Sequence, residues 1–228
     1  MPGIVAMVTY MTGVHKSEHV EDVLASHRLI AVTVLEDSRA AAPLAAALNA
    51  GGLRCVEVTL RTASALDTIA TMSGEAALVV GAGTVLDADQ ATRALDAGAR
   101  FVVSPGFDRA VVGVCQERGV PVFPGVATAT DIMAARAAGL DTVKFFPAGQ
   151  LGGVPMLKAL AGPFRTMRFI PTGGVDASNV SQYLALPSVV AVGGTWMVPP
   201  ALLDARDWAG VERLTRQAVD IIRERAQA

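Results

Sequence analysis

The sequence predicts an α/β protein with one domain, a compact (β/α)8 TIM barrel preceded by an N-terminal helical leader. Short β-rich apolar runs alternate with helical stretches along most of the 228 residues, and such alternation means parallel strands joined by crossovers. Eight of these units fit into about 200 residues, which suits a small closed barrel better than an open doubly wound sheet. The joints repeat as well. Asn49-Ala50-Gly51-Gly52, Asp96-Ala97-Gly98, Arg118-Gly119 and Ala138-Gly139 each put Gly where a helix needs a left-handed C-terminal residue before the next strand.

Residues 1–28 read as a polar, helical leader and residues 29–228 as the barrel. The strands fall at Leu29 to Val34, Cys55 to Thr59, Leu78 to Gly81, Phe101 to Ser104, Val122 to Gly125, Thr142 to Phe145, Phe169 to Thr172 and Val189 to Gly193. Ser38, Asp87 and Asp176 are N-cap candidates for intervening helices, because their side-chain oxygens can accept from orphaned backbone N–H groups. In this architecture chemistry belongs at the C-terminal ends of the strands. Several strands do run into polar or glycine-rich segments there.

Composition narrows the function. A 52% apolar content and 22 glycines suit one well-filled core. With a net charge of −2 and no basic run, nothing points to nucleic acid or an anionic membrane, and an anionic ligand needs a local site. Cys55 and Cys115 lie in separate elements and read as reduced core residues. No run reaches the length of a membrane span and the N-terminus lacks a signal-peptide pattern, so a cytoplasmic protein is expected. His15 and His19 have helical metal-pair spacing beside Glu18 and Glu21, but a solvated amphipathic leader explains them, and no metal-ligand cluster appears near the barrel mouth.

Lys144 is the residue that points to chemistry. It is one of three lysines against sixteen arginines, and it sits in Val143-Lys144-Phe145-Phe146-Pro147. Only a primary amine forms an imine with a carbonyl, and only Lys loses its proton readily when desolvated. The alternative is a lysine that snorkels from a strand end with its head in water. Strand alternation sends Lys144 inward, with Val143 and Phe145 outward, and likewise Cys55, Glu57 and Thr59 inward, with Val56 and Val58 outward. A lone inward carboxylate is costly, so Glu57 and Lys144 are expected to face each other as an acid/base pair or as a buried ion pair fixing register. Without a histidine in the barrel, proton transfer falls to Glu57.

Arg61 lies four residues beyond Glu57, about 13 Å along an extended chain. It can bind a substrate carboxylate only if the backbone turns after Thr59; otherwise it is a surface residue capping the next helix. Gly173-Gly174 and Gly193-Gly194-Thr195 follow the seventh and eighth strands, where barrels often hold phosphate on backbone N–H groups. Tight turns alone would also explain those glycines.

Six ordered strings occur together: Glu57-Val58-Thr59-Leu60-Arg61-Thr62, Val80-Gly81-Ala82-Gly83-Thr84-Val85, Ser104-Pro105-Gly106, Lys144-Phe145-Phe146-Pro147-Ala148, Pro171-Thr172-Gly173-Gly174 and Gly193-Gly194-Thr195-Trp196. From about Leu29 to the C-terminus the chain resembles the bacterial 2-keto-3-deoxy-6-phosphogluconate (KDPG) aldolase family, which includes 4-hydroxy-2-oxoglutarate aldolases. The resemblance implies a class I, metal- and cofactor-independent lyase, a homotrimer of (β/α)8 subunits acting on a small keto-acid phosphate. By matching positions it implies Lys144 as the imine-forming lysine and Glu57 as the general acid/base. Arg61 and Thr84 would hold the carboxylate end, with Pro105 and Phe146 shaping the pocket. Thr172, Gly173, Gly174, Gly194 and Thr195 would hold or flank the distal phosphate.

Two departures qualify the substrate. Thr195 stands where members commonly have Ser, and Leu35 where several have a basic residue. The implied reaction is cleavage of 2-keto-3-deoxy-6-phosphogluconate to pyruvate and glyceraldehyde 3-phosphate. The same chemistry on 4-hydroxy-2-oxoglutarate or the phosphogalactonate epimer is an alternative, and a non-catalytic phosphosugar-binding barrel is the reading from a different class.

Overall fold

The computed structural model describes residues 19–75 and 77–226. Parallel strands carry the fold: β1 (Leu29–Thr33), β2 (Cys55–Thr59), β3 (Val79–Gly83), β4 (Phe101–Val103), β5 (Val122–Phe123), β6 (Gly125–Val126), β7 (Thr142–Phe145), β8 (Arg168–Pro171) and β9 (Val192–Gly194). They form a six-stranded sheet in the order β5-β4-β3-β2-β1-β9 and a three-stranded sheet in the order β6-β7-β8, curled as a half-barrel. Single parallel bridges, Phe169 to Val189 and Thr172 to Gly193, link β8 to the segment of β9.

The expected eight strands in one continuous sheet are thus not what the ladders show. The difference arises at two prolines, which lack the N–H a ladder needs. Pro124 splits the expected strand Val122 to Gly125 into β5, which pairs with β4, and β6, which pairs with β7. Pro171 cannot continue the bonds that Phe169 makes with Ser188 and Val190. The expected strand Val189 to Gly193 correspondingly begins only at Val192 and ends one residue later, at Gly194, and β3 runs two residues further than expected, to Gly83.

Helices α2 (Ala41–Ala50), α3 (Ala65–Ser73), α4 (Ala88–Asp96), α5 (Arg109–Glu117), α6 (Ala129–Ala137), α7 (Gly153–Ala161), α8 (Val180–Leu184), α9 (Pro200–Asp204) and α10 (Trp208–Ala226) complete the described chain after α1 (Val20–His27). The glycine joints behave as the sequence demands. Gly52, Gly98, Gly119 and Gly139 all have positive φ. In each case the N–H of the following residue reaches back across the last helical turn, Leu53 to Leu48, Ala99 to Ala94, Val120 to Cys115 and Leu140 to Ala135. Of the N-cap candidates, Asp87 caps α4 through the N–H of Gln90. Ser38 does not cap: Asp37 does so for the short 3-10 turn Ser38–Ala40. Asp176 closes a turn by accepting from Ser178, and α8 begins only at Val180.

Two apolar layers hold the structure. Val56, Val58, Val143 and Phe145 face the surrounding helices, and Ile30, Cys55, Val79, Phe101, Phe123, Ile170 and Ala191 face inward. Val20, Val23 and Leu24 of α1 join the inward layer, so α1 seals the N-terminal end of the strands rather than lying in solvent on all sides. Arg28, which caps α1 in the left-handed conformation, donates to the carbonyls of Leu184, Val189 and Val190. His15 lies outside the described residues. Both cysteines are buried free thiols.

Candidate active site

Strand alternation positions the two central groups. Glu57 of β2 and Lys144 of β7 project inward above the apolar layer, with side chains only 2% and 7% exposed, and Lys144 Nζ donates to Glu57 Oε1 at 3.3 Å. Ionisable groups buried this deeply each need a polar partner, and here each supplies the other's. The contact is longer than the roughly 2.7–2.9 Å of a tight charge-assisted bond. The ring centroid of Phe146 stands 5.1 Å from Nζ, presenting the face that stabilises a cation.

Glycine makes the room. Gly83, opposite Thr59 in the β2–β3 register, lies under the Glu57 carboxylate, and a Cβ there would overlap Glu57 Oε1, Cγ and Cδ. Gly81 similarly accommodates the Phe101 ring, which packs against Phe123 in the floor. Below Glu57, burial first and the Glu57 charge second hold the Cys55 thiol far above its usual range. It stays protonated and is no competing nucleophile.

The chain does turn after β2. Arg61 N–H donates to the carbonyl of Thr59 at 2.8 Å, and the hydroxyls of Thr62 and Ser64 both donate to the carbonyl of Leu35 at 2.6 Å, fixing the loop that presents Arg61. Thr84 has φ of +57°, a left-handed conformation that costs a β-branched residue about 1–3 kcal/mol and marks a constrained position. Pro105 lies beside Gly125, where only the missing Cβ lets the two backbones approach. After β8, Gly173 and Gly174 have φ of +89° and +75°, which glycine alone adopts without strain. Gly193 leaves space for the Thr172 hydroxyl and Gly194 for the Trp196 ring.

One cavity of about 300 Å³ joins these elements. Lys144, Glu57, Arg61, Thr84, Pro105, Phe146, Thr172, Gly173, Gly174, Gly194 and Thr195 all line it. Val32, Thr59, Val175 and Gly193 line it too. Thr59 was legible as an inward residue by alternation, and its hydroxyl donates to the carbonyl of Thr33; Val32 and Val175 carried no polar signal that could have marked them. Among the described residues no group of three or more His, Cys, Asp or Glu side chains is placed to hold a metal ion, and no helix is long and apolar enough to cross a membrane.

A buried amine beside a carboxylate, in a cavity also lined by Gly173, Gly174 and Gly194, suits carbonyl chemistry on a small anionic substrate. Comparison with known proteins agrees. The KDPG and KHG aldolase family model matches residues 20–214. The 2-dehydro-3-deoxy-phosphogluconate aldolase of Treponema pallidum is 49% identical over 196 residues, covering 86% of this chain and 93% of that protein. The KHG/KDPG aldolase of Escherichia coli K12 is 42% identical over 201 residues, covering 88% and 94%. Among solved structures, the KDPG aldolase of Legionella pneumophila, with pyruvate captured as a covalent carbinolamine intermediate, superposes with a TM-score of 0.83 at 39% identity over 86% of this chain and 96% of that one. The enzyme of Zymomonas mobilis ZM4 with 3-phosphoglycerate also gives 0.83, at 42% identity over 87% and 94%. The chain belongs to the KDPG and KHG aldolase family.

Proposed function

We propose that this chain is a class I aldolase that cleaves 2-keto-3-deoxy-6-phosphogluconate to pyruvate and D-glyceraldehyde 3-phosphate. The observation that carries the reading is the buried Lys144 amine 3.3 Å from Glu57 in a cavity also lined by glycines. The carbinolamine in the Legionella relative supports the same covalent route.

Neutral Lys144 Nζ adds to the C2 carbonyl, and loss of water gives a protonated imine that serves as electron sink. Glu57, directly or through water, takes the proton of the C4 hydroxyl. The C3–C4 bond then breaks, its electron pair moving toward the iminium nitrogen to leave an enamine, while C4 departs as the aldehyde carbon of glyceraldehyde 3-phosphate. Protonation at C3 restores the iminium, and water releases pyruvate and the free amine. Phe146, facing Nζ, stabilises the cationic imine. Arg61 and Thr84 hold the carboxylate, Pro105 shapes the wall, and Thr172, Gly173, Gly174, Gly194 and Thr195 surround the phosphate. Holding phosphate far from the reacting bond positions C4 against Glu57, so binding energy there is expressed in turnover.

The finer features of the reading follow the family: a closed eight-stranded barrel over residues 29–228 with residues 1–28 as leader, a cytoplasmic homotrimer, and chemistry that needs no metal. Pyruvate release from the phosphorylated substrate, measured in excess chelator, tests the reaction. Turnover in chelator is the expected result, and no pyruvate from any 2-keto-3-deoxy or 4-hydroxy-2-oxo acid would leave only a binding protein. Equal rates on 2-keto-3-deoxy-6-phosphogluconate and its unphosphorylated form would refute the phosphate assignment. Sedimentation tests the trimer.

A further inference from the structure

We propose that Asn179 is a positioning residue that sets the preference for a phosphorylated substrate by aiming two backbone amides of the loop after β8; this rests on the phosphate reading above. Asn179 stands at the N-cap position of α8, where an Asn side chain ordinarily accepts from its own helix. Here it makes no such cap bond. The side chain turns back into the preceding loop instead: Nδ2 donates to the carbonyl of Gly174 at 2.9 Å, and Oδ1 accepts from the N–H of Asp176 at 3.0 Å.

The consequence follows from peptide planarity. In a trans peptide the carbonyl and the next N–H point in opposite directions. The Gly173 carbonyl is held by the N–H of Gly149 at 2.8 Å, which turns the Gly174 N–H the other way. The Gly174 carbonyl is held by Asn179, which does the same for the N–H of Val175. Both residues line the cavity, and among the described residues nothing accepts from either N–H. Two consecutive amides free on one side of a loop are a nest for anionic oxygen. With positive φ at both glycines the backbone is inherently permissive, so an external clamp decides where those amides point. Asn179 is half of that clamp, and the only half supplied by a side chain.

The test is the ratio of kcat/KM for 2-keto-3-deoxy-6-phosphogluconate to that for 2-keto-3-deoxygluconate. Asn179→Ala is expected to lower this ratio about tenfold, the scale of losing well-aimed hydrogen bonds to a charged group, while kcat/KM for the unphosphorylated substrate stays within about twofold. Asn179→Asp keeps the shape and the Asp176 contact but sets a carboxylate oxygen against the Gly174 carbonyl, so it should collapse the ratio even if the alanine variant fails to fold. A ratio preserved in the aspartate variant, or a parallel fall for both substrates, overturns the proposal. A wild-type enzyme that shows no preference for the phosphorylated substrate overturns the phosphate reading itself, and this inference with it.

Discussion

Gly83→Ala is the perturbation that bears most directly on the acid/base role proposed for Glu57. The backbone at Gly83 lies outside the left-handed region, so alanine is conformationally allowed there and the glycine serves space rather than φ. A Cβ would fall 2.5 Å from Glu57 Cγ and 2.6 Å from Cδ, against ordinary contacts of 3.4–4 Å. Something must therefore yield by about 1 Å, at an overpacking cost of about 1–3 kcal/mol. Backbone on β3 is held by paired strands on both sides, whereas the carboxylate is held by one 3.3 Å bond to Lys144, so Glu57 is the part that moves. A catalytic group displaced by about 1 Å loses on the order of 100-fold in turnover. The assay is pyruvate release together with exchange of the pyruvate C3 hydrogens in deuterated water. Both should fall about 100-fold, while borohydride still traps pyruvate on the unmoved Lys144. A folded Gly83→Ala enzyme with kcat within about twofold of wild type would mean that the carboxylate has no need of that space.

Other consequences concern the scaffold. Leu24, 2% exposed in α1 beneath the inward layer, should cost about 2–5 kcal/mol when replaced by Ala, read as a shifted denaturant midpoint; an unchanged midpoint would mean that α1 does not seal the strands. Burial pushes the Cys115 thiol up to about 11. Because the folded value is raised, this stabilising contribution is complete below the ordinary value of 9.0 and is lost as pH rises from there toward about 11. Wild type should therefore lose up to about 3 kcal/mol more than Cys115→Ala across that interval, and parallel alkaline stability profiles would contradict the assignment. Thr128→Ala removes one arm of the capping box that Thr128 and Asp131 form at the start of α6, and should cost about 1 kcal/mol in unfolding free energy; no loss would mean that the cap is idle.

Which features the sequence announced follows from physical period and chain chemistry. The period-two alternation in Cys55–Thr59 and Thr142–Phe145 was enough to send Glu57 and Lys144 inward, because a strand has only two faces. The glycine joints were legible because a left-handed residue after a helix is a local demand. Closure of the sheet was not local: Pro124 and Pro171 interrupt ladders whose partners are distant in sequence, and only the fold reveals which donors are missing. The Gly83 clearance and the Asn179 clamp were hidden for the same reason. Gly83 reads as one more small residue in Gly81-Ala82-Gly83 until Glu57 is placed over it, and Asn179 reads as an ordinary helix cap until its side chain is seen to turn away. The polar reading of the leader missed Val20, Val23 and Leu24, three apolar residues on one helical face.

Borohydride reduction in the presence of pyruvate, followed by peptide mass mapping, shows whether Lys144 is the nucleophile. A nucleophilic Lys144 predicts one pyruvate-derived adduct, on the peptide carrying Lys144 and absent from Lys144→Ala, with loss of activity in step with its formation. An adduct on Lys158 instead, or full cleavage activity in Lys144→Ala, would contradict it.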